Sequence, residues 1–403
     1  MVAPTSVLHI WRTEAERFAP SLRLRLFHEG DRTLGGGEPS EVLVVSWAML
    51  AREAEVFAAT RFSTVVLDEA HAIKNPATKR ARAAHALQGD FVVALTGTPV
   101  ENHLGDLWSL FRAVLPSLLG SEESFRRRFG SASPEAVRAL AALAQPFILR
   151  RTKSKVAQEL PPRTDIDLLV PLSAEERALY DDLRLAAAAD LGEVTGDDHR
   201  FEVLAALTRL RLAACHPRLS QPEWDGPASK LGRLLELVRE LSAAGHRALI
   251  FSQFTQHLGL VAEALRAEGF VFSYLDGQVP TGERQRRVEA FQAGGGGDLF
   301  LISLRAGGTG LTLTAADYVV HLDPWWNPAV EDQASDRAHR IGQDKPVTVY
   351  RLIAQGTIEQ QILSLHREKR ELIDAFLAGA DMAGKLSTAQ LAALIRGTDG
   401  AAP

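Results

Sequence analysis

The stretch "VVLDEAHAIKN", Val65 to Asn75, decides how the rest of the chain is read. Its apolar, β-branched opening predicts a buried strand. That strand delivers two carboxylates, Asp68 and Glu69, to its carboxyl end, where open α/β sheets bind ligands. In phosphate-hydrolysing motors such a pair holds magnesium and orients the attacking water. A lone strand-end aspartate more commonly caps the following helix. Here "TGTP", Thr96 to Pro99, closes a neighbouring strand as well, which favours chemistry over capping.

Working outward, "EVLVVSW", "FSTVVLD" and "FVVAL" read as buried strands, with the alanine-rich helix "ATKRARAAHAL" between the last two. That alternation predicts a parallel sheet with crossover helices. From His103 to about Ala144 the periodicity turns helical, and "SEESFRRRF" opens with a capping signature. "PPRT" at Pro161 to Thr164 breaks the chain before two more helical stretches, which end at the proline-rich "CHPRLSQPEWDGP". From Ser229 strands ("RALIFS", "FVFSYL", "DLFLIS", "YVVHLD", "VTVYRLI") alternate with helices, among them "AVEDQASDRAHR". This predicts a second α/β domain. "TIEQQILSLHREKRELIDAFLA" reads as a long amphipathic helix packing back on it.

With 403 residues, 46% hydrophobic and 24% charged, the chain can build two or three domains with real cores. The net charge of −5 gives no sign of a polyanion partner, though local charge disagrees. Basic clusters such as "FRRRF", "LRRTKSK" and "ERQRRVE" each read first as a solvated helix face. One cysteine, Cys215, excludes an internal disulfide and a cysteine-rich zinc site, so "AACHPRL" reads as a helix end. No leader pattern and no apolar run of spanning length is present, which predicts a cytoplasmic protein without a membrane partner.

Several segments are more specific. "LDEAH", "ALTGTPVENHLGDLWSLF", "SLRAGGTGLTLTAADYVVHLDPWWNP" and "EDQASDRAHRIGQ" resemble helicase motifs II, III, V and VI of the Swi/Snf-type DNA-dependent motor ATPases. "VAPTSVLHIW" is similar to motif Ia and "ALIFSQF" to motif IV. The resemblance implies two RecA-like lobes with parallel sheets and helical insertions, ATP with Mg2+ in the cleft between them, and duplex DNA across both. Residues 1–155 would form the first lobe, with a helical insertion from about 103, and 156–228 a linker with a further insertion. Residues 229–370 would form the second lobe, and 371–403 a helical tail.

Carried over residue by residue, the resemblance makes Asp68 the magnesium ligand through water and Glu69 the residue that positions the hydrolytic water. His71 would couple that site to the other lobe, and Thr96 and Thr98 would relay closure. Arg337 and Arg340, three apart and so on one face of a helix, would act on the γ-phosphate. Gln333, Gly308 and Gly310 would line the nucleotide site. Thr5, Ser6, Ser303, Arg305 and Thr312 would grip DNA phosphates, and Trp325 would either meet DNA or pack in the core.

The family's phosphate-cradling lysine loop lies upstream of motif Ia, where this sequence opens. "GADMAGKL", Gly379 to Leu386, imitates it but carries leucine where the magnesium-binding hydroxyl belongs, and follows a helix instead of a strand. The expectation is therefore an incomplete first lobe, lacking a strand beside those of "TVVLD" and "FVVAL". Hydrolysis by this chain alone should be weak, with an upstream segment or subunit supplying the loop. The leading function is an ATP-dependent double-stranded DNA translocase. The alternative is a non-catalytic DNA-binding or regulatory remnant of one. An RNA helicase is disfavoured, because the sixth motif lacks "QRxGRxGR".

Overall fold

The computed structural model describes residues 1–27, 34, 38–97, 104–130, 134–151, 153–191, 200–304, 306 and 310–365. They divide into two compact α/β units, Met1–Leu149 and a second beginning at Arg150.

The first unit is built on β1 (Val2–Ala3), β2 (Arg23–Leu26), β3 (Glu41–Ser46), β4 (Arg61–Asp68) and β5 (Gln88–Leu95). The order is β2-β3-β1-β4-β5, and every pairing is parallel. Parallel neighbours need crossovers, and the intervening helices supply them. Val65 and Leu67 of β4 are buried among Val2, Val45, Trp47, Leu50 and Ile73. A second cluster gathers around helix Leu104–Val114, whose Leu104, Leu107, Trp108 and Phe111 recur at helical spacing. β4 and β5, the strands beside which the missing one was expected, pair directly from Arg61↔Gln88 to Asp68↔Leu95. Among the described strands β5 is the edge, with Phe91 63% and Leu95 39% exposed.

The second unit holds β6 (Arg163–Val170), β7 (Ala248–Ser252), β8 (Phe272–Leu275), β9 (Leu299–Ser303), β10 (Tyr318–His321) and β11 (Val347–Ala354). They run parallel in the order β6-β11-β10-β7-β9-β8. β7 and β9 are buried at every position, which is why they read as unbroken apolar runs. Leu234, Leu258, Val261 and Leu265 cover one face of the sheet, while Val288, Phe291 and Ala334 cover the other.

Two expectations shift. β6 lies inside the stretch read as a linker, 156–228, and pairs with β11 along its whole length, so the second unit starts well before 229. The helix over "AVEDQASDRAHR" stops at Ser335, with turns beyond it. The C-terminal helix begins at 358 and is followed to 365; the tail and the decoy "GADMAGKL" lie outside the described residues. Among the described residues, no helix is long and apolar enough to cross a membrane.

Candidate active site

In the first unit the carboxyl edge of the sheet collects the expected residues in a row. β1 ends into Thr5 and Ser6, β4 into Asp68 and Glu69, and β5 into Thr96. Thr5 is exposed and Ser6 half-buried, in a 3-10 turn that leads into helix Leu8–Phe18. That helix carries Trp11 back over the edge, where its Nε1 donates to Asp68 Oδ2 at 2.8 Å. The Glu69 amide donates to Asp68 Oδ1 at 3.0 Å, and Trp47 Nε1 to the Asp68 carbonyl at 3.0 Å. Both carboxylate oxygens are thus aimed. Burial pushes the Asp68 carboxyl above its ordinary range; the Trp11 bond opposes this and the Glu69 charge adds to it.

Glu69 has φ +48°, the one left-handed non-glycine residue among those described. Such a conformation costs on the order of 1 kcal/mol or more and persists only where its surroundings hold it. What holds it is the next turn, Ala70–Ile73, whose Ala70 and Ile73 are fully buried. Ser109 Oγ donates to the Ile73 carbonyl at 2.5 Å, and His85 Nε2 donates to the Ser109 carbonyl at 2.9 Å. The sharp turn brings His71 Nδ1 within 3.2 Å of Glu69 Oε2. Asp68, Glu69 and His71 therefore form one linked set.

In the second unit Arg337 and Arg340 follow the helix Pro328–Ser335 instead of sharing a face of it. Arg337 is buried and Arg340 exposed. Both still reach the same short segment: Arg337 Nη1 donates to the Leu311 carbonyl at 3.4 Å, and Arg340 Nη1 to Thr312 Oγ1 at 3.3 Å. The Arg337 carbonyl in turn receives the Leu313 amide at 3.0 Å. Gly310, just before, adopts φ +75°, which glycine alone takes without strain. The structure thus joins Arg337, Arg340, Gly310 and Thr312. Gln333 is half-buried in the helix, two residues before its end. Ser303 is buried, with its hydroxyl accepting from the Ala306 amide at 3.2 Å. Thr98, Arg305 and Gly308 lie outside the described residues.

Trp325 is partly buried against the core cluster that holds Phe251, Ile302 and Val319. Its amide donates to Glu331 Oε1 at 2.6 Å, and the Arg211 guanidinium lies 6.0 Å from its ring and 5.3 Å from that of Trp326. Asp323, fully buried at the same strand end, accepts from Ser252 Oγ and from the Gln253 amide. Burial works against that carboxylate, but His257, Ser252 and Arg211 outweigh it and hold its pKa below the usual value. Cys215 does end a helix. Its sulfur, His257 and Asp323 come within 4.8 Å of one another, beside the buried ion pair of Lys230 with Glu359.

Sequence reasoning missed Trp11, Trp47 and Ser109. Each acts on a residue tens of positions away, and no local pattern marks such a partner.

The chain matches the model of the SNF2-related domain over residues 1–219 and that of the helicase conserved C-terminal domain over 229–342. It is 37% identical over 409 residues to the putative ATP-dependent helicase/translocase YwqA of Bacillus subtilis, covering 97% of this chain and 44% of that protein. It is 36% identical over 387 residues to the human SWI/SNF-related matrix-associated actin-dependent regulator of chromatin subfamily A member 1, covering 90% of this chain and 37% of that one. The Sulfolobus solfataricus SWI2/SNF2 ATPase core in complex with dsDNA is 33% identical, with a TM-score of 0.48 over 94% of this chain and 82% of that chain. The chain spans less than half the length of the curated relatives it matches.

Proposed function

Because this chain belongs to the SNF2-related family, we propose that it is an ATP-driven translocase on double-stranded DNA. The family is one of ATP-dependent helicases, so nucleotide use comes with membership. The observation that carries the finer reading is the linked set at the end of β4: Trp11 on Asp68, Asp68 on the Glu69 amide, and Glu69 beside His71.

That set fits a hard divalent cation. Asp68 offers carboxylate oxygens, and the two bonds it accepts leave lone pairs for a metal-bound water. Magnesium, when bound, would offset the charge of the triphosphate. Asp68 would hold the hydrated cation, and the Trp11 indole on Oδ2 with the Glu69 amide on Oδ1 keeps its carboxylate from rotating. Glu69, set by its left-handed backbone and by His71, orients the attacking water. Arg337 and Arg340 stabilise charge on the terminal phosphate, where such groups contribute on the order of 10³ to 10⁵ in rate. Thr5, Ser6 and Thr312 take phosphates of the duplex. A glycine-rich lysine loop supplied by an upstream segment or a second subunit completes the nucleotide site.

The test compares ATP hydrolysis with duplex DNA, with RNA and with neither, each with and without an added segment bearing such a loop. Stimulation by duplex DNA, lost in Glu69→Gln, is expected. Binding to DNA should weaken steeply with salt, by about 0.9 in log affinity per log salt for each phosphate contacted. Hydrolysis indifferent to DNA under every condition would sink the reading.

A further inference from the structure

The basic cluster "LRRTKSK" reads as a solvated face, yet Lys153 is not solvated in that way. Its ammonium lies 2.8 Å from Asp336 Oδ1 and donates to the His339 carbonyl at 2.7 Å. Those two acceptors bracket Arg337 in the chain. The same turn is held from the same side twice more. His339 Nε2 donates to the Pro161 carbonyl at 2.8 Å. Arg163, the first residue of β6, pairs with Asp332 at 3.0 Å and with Asp336 at 3.6 Å.

We infer that Lys153 is a positioning residue for the arginine-bearing turn Asp336–Arg340, acting through Asp336 and the His339 carbonyl. The inference rests on the proposed role of Arg337 and Arg340. Its physical basis is that these two arginines stand on turns and not in a helix, so the i→i−4 ladder that stiffens a helix does not hold them. The Arg340 amide, for example, bonds only to Ala338, two residues back. Groups that stabilise a transition state must keep their place to within about half an ångström, and a turn can do so only with outside support. Lys153 supplies it at two points, one a side chain and one the backbone. Its charge also sits just beyond the carboxyl end of helix Pro328–Ser335, where a cation opposes the helix dipole. Lys153 is committed to Asp336 and His339 and is assigned no contact with substrate.

The test uses the full chain and reads the turn directly. Amide hydrogen exchange at Arg337, Ala338 and His339, all of which donate to helix carbonyls, is compared between the parent and Lys153→Met, which keeps the stem and removes the charge. Exchange there should quicken about tenfold while β10 and β11 are unchanged. Asp336→Asn should act alike, and the swapped pair Lys153→Asp with Asp336→Lys should recover most of the protection. Under conditions where ATP turns over, kcat should fall about tenfold with KM moved less than about threefold. Unchanged exchange at the turn would overturn the inference. So would faster exchange spread evenly over the whole unit, which marks a merely structural lysine. Should the parent show no DNA-stimulated turnover at all, the functional reading fails while the exchange measurement still decides the positioning.

Discussion

The indole of Trp11 donates to Asp68 Oδ2 at 2.8 Å across 57 positions of sequence, so the acid at the end of β4 is aimed from a helix at the start of the chain. Removing that donor in Trp11→Phe keeps an aromatic ring but releases Oδ2, leaving the carboxylate held by the Glu69 amide alone. The magnesium concentration for half-maximal hydrolysis should rise about tenfold, the usual scale for an outer-shell partner of a metal ligand. The bond also lowers the Asp68 pKa against the effect of burial. Its loss therefore moves the acid limb of the activity profile to higher pH. A magnesium titration and a pH profile check both.

Glu69 separates stability from chemistry. At φ +48° a glycine is free of the strain that glutamate bears. Glu69→Gly should stabilise the first unit by about 0.5–1 kcal/mol in urea while abolishing hydrolysis. A stability loss would mean that the bond to His71 outweighs the backbone strain.

Lys230 and Glu359 form a buried pair, 3% and 1% exposed, with both carboxylate oxygens 2.8 Å from the ammonium and the Cys215 thiol donating to one of them. Lys230→Met alone strands a carboxylate and should cost about 3–5 kcal/mol. Adding Glu359→Leu should recover most of that loss. Urea midpoints of the two single variants and the double variant complete the cycle.

His321 is fully buried beside Ser335 Oγ at 2.8 Å, and burial lowers its pKa to about 3. Unfolded, it titrates near the ordinary value of 6.5. Above that value both states are neutral and no stability is lost. As pH falls from 6.5 towards 3, the unfolded chain binds the proton first and the fold weakens, by about 5 kcal/mol in total. His321→Gln should flatten that slope. Urea midpoints measured between pH 4 and 7 check it.

Much of this was legible in the sequence. β7 and β9 announce themselves because strands covered on both faces need apolar side chains at nearly every position, and β4 by the β-branched run that ends in buried Leu67. Asp68 and Glu69 follow from where β4 must end. β6 was not legible: "RTDIDLLV" alternates acids with apolar residues, and both acids face Arg351, nearly 200 positions on, with Arg163 adding a second partner for Asp165. The end of the helix at Ser335 was equally hidden, since "DRAHR" holds no glycine or proline to stop a helix, and the ties of Lys153 and Arg163 are tertiary. The surroundings of Trp325 were hidden too, since its amide and ring answer to Glu331 and Arg211, neither of them a sequence neighbour.

Arg351 Nη2 donates to Asp165 Oδ1 at 2.7 Å, its Nη1 lies 3.5 Å from Asp167, and its Nε donates to Glu331 at 3.1 Å, with the guanidinium almost wholly out of water. Sliding β6 by one residue along β11 would present Thr164 and Ile166 to that guanidinium and turn both aspartates to the opposite face. An outermost strand is ordinarily the easiest to mispair, and here a single dehydrated cation works like the notch of a key. Any sequence drifting at one of these four positions must drift at another to remain foldable.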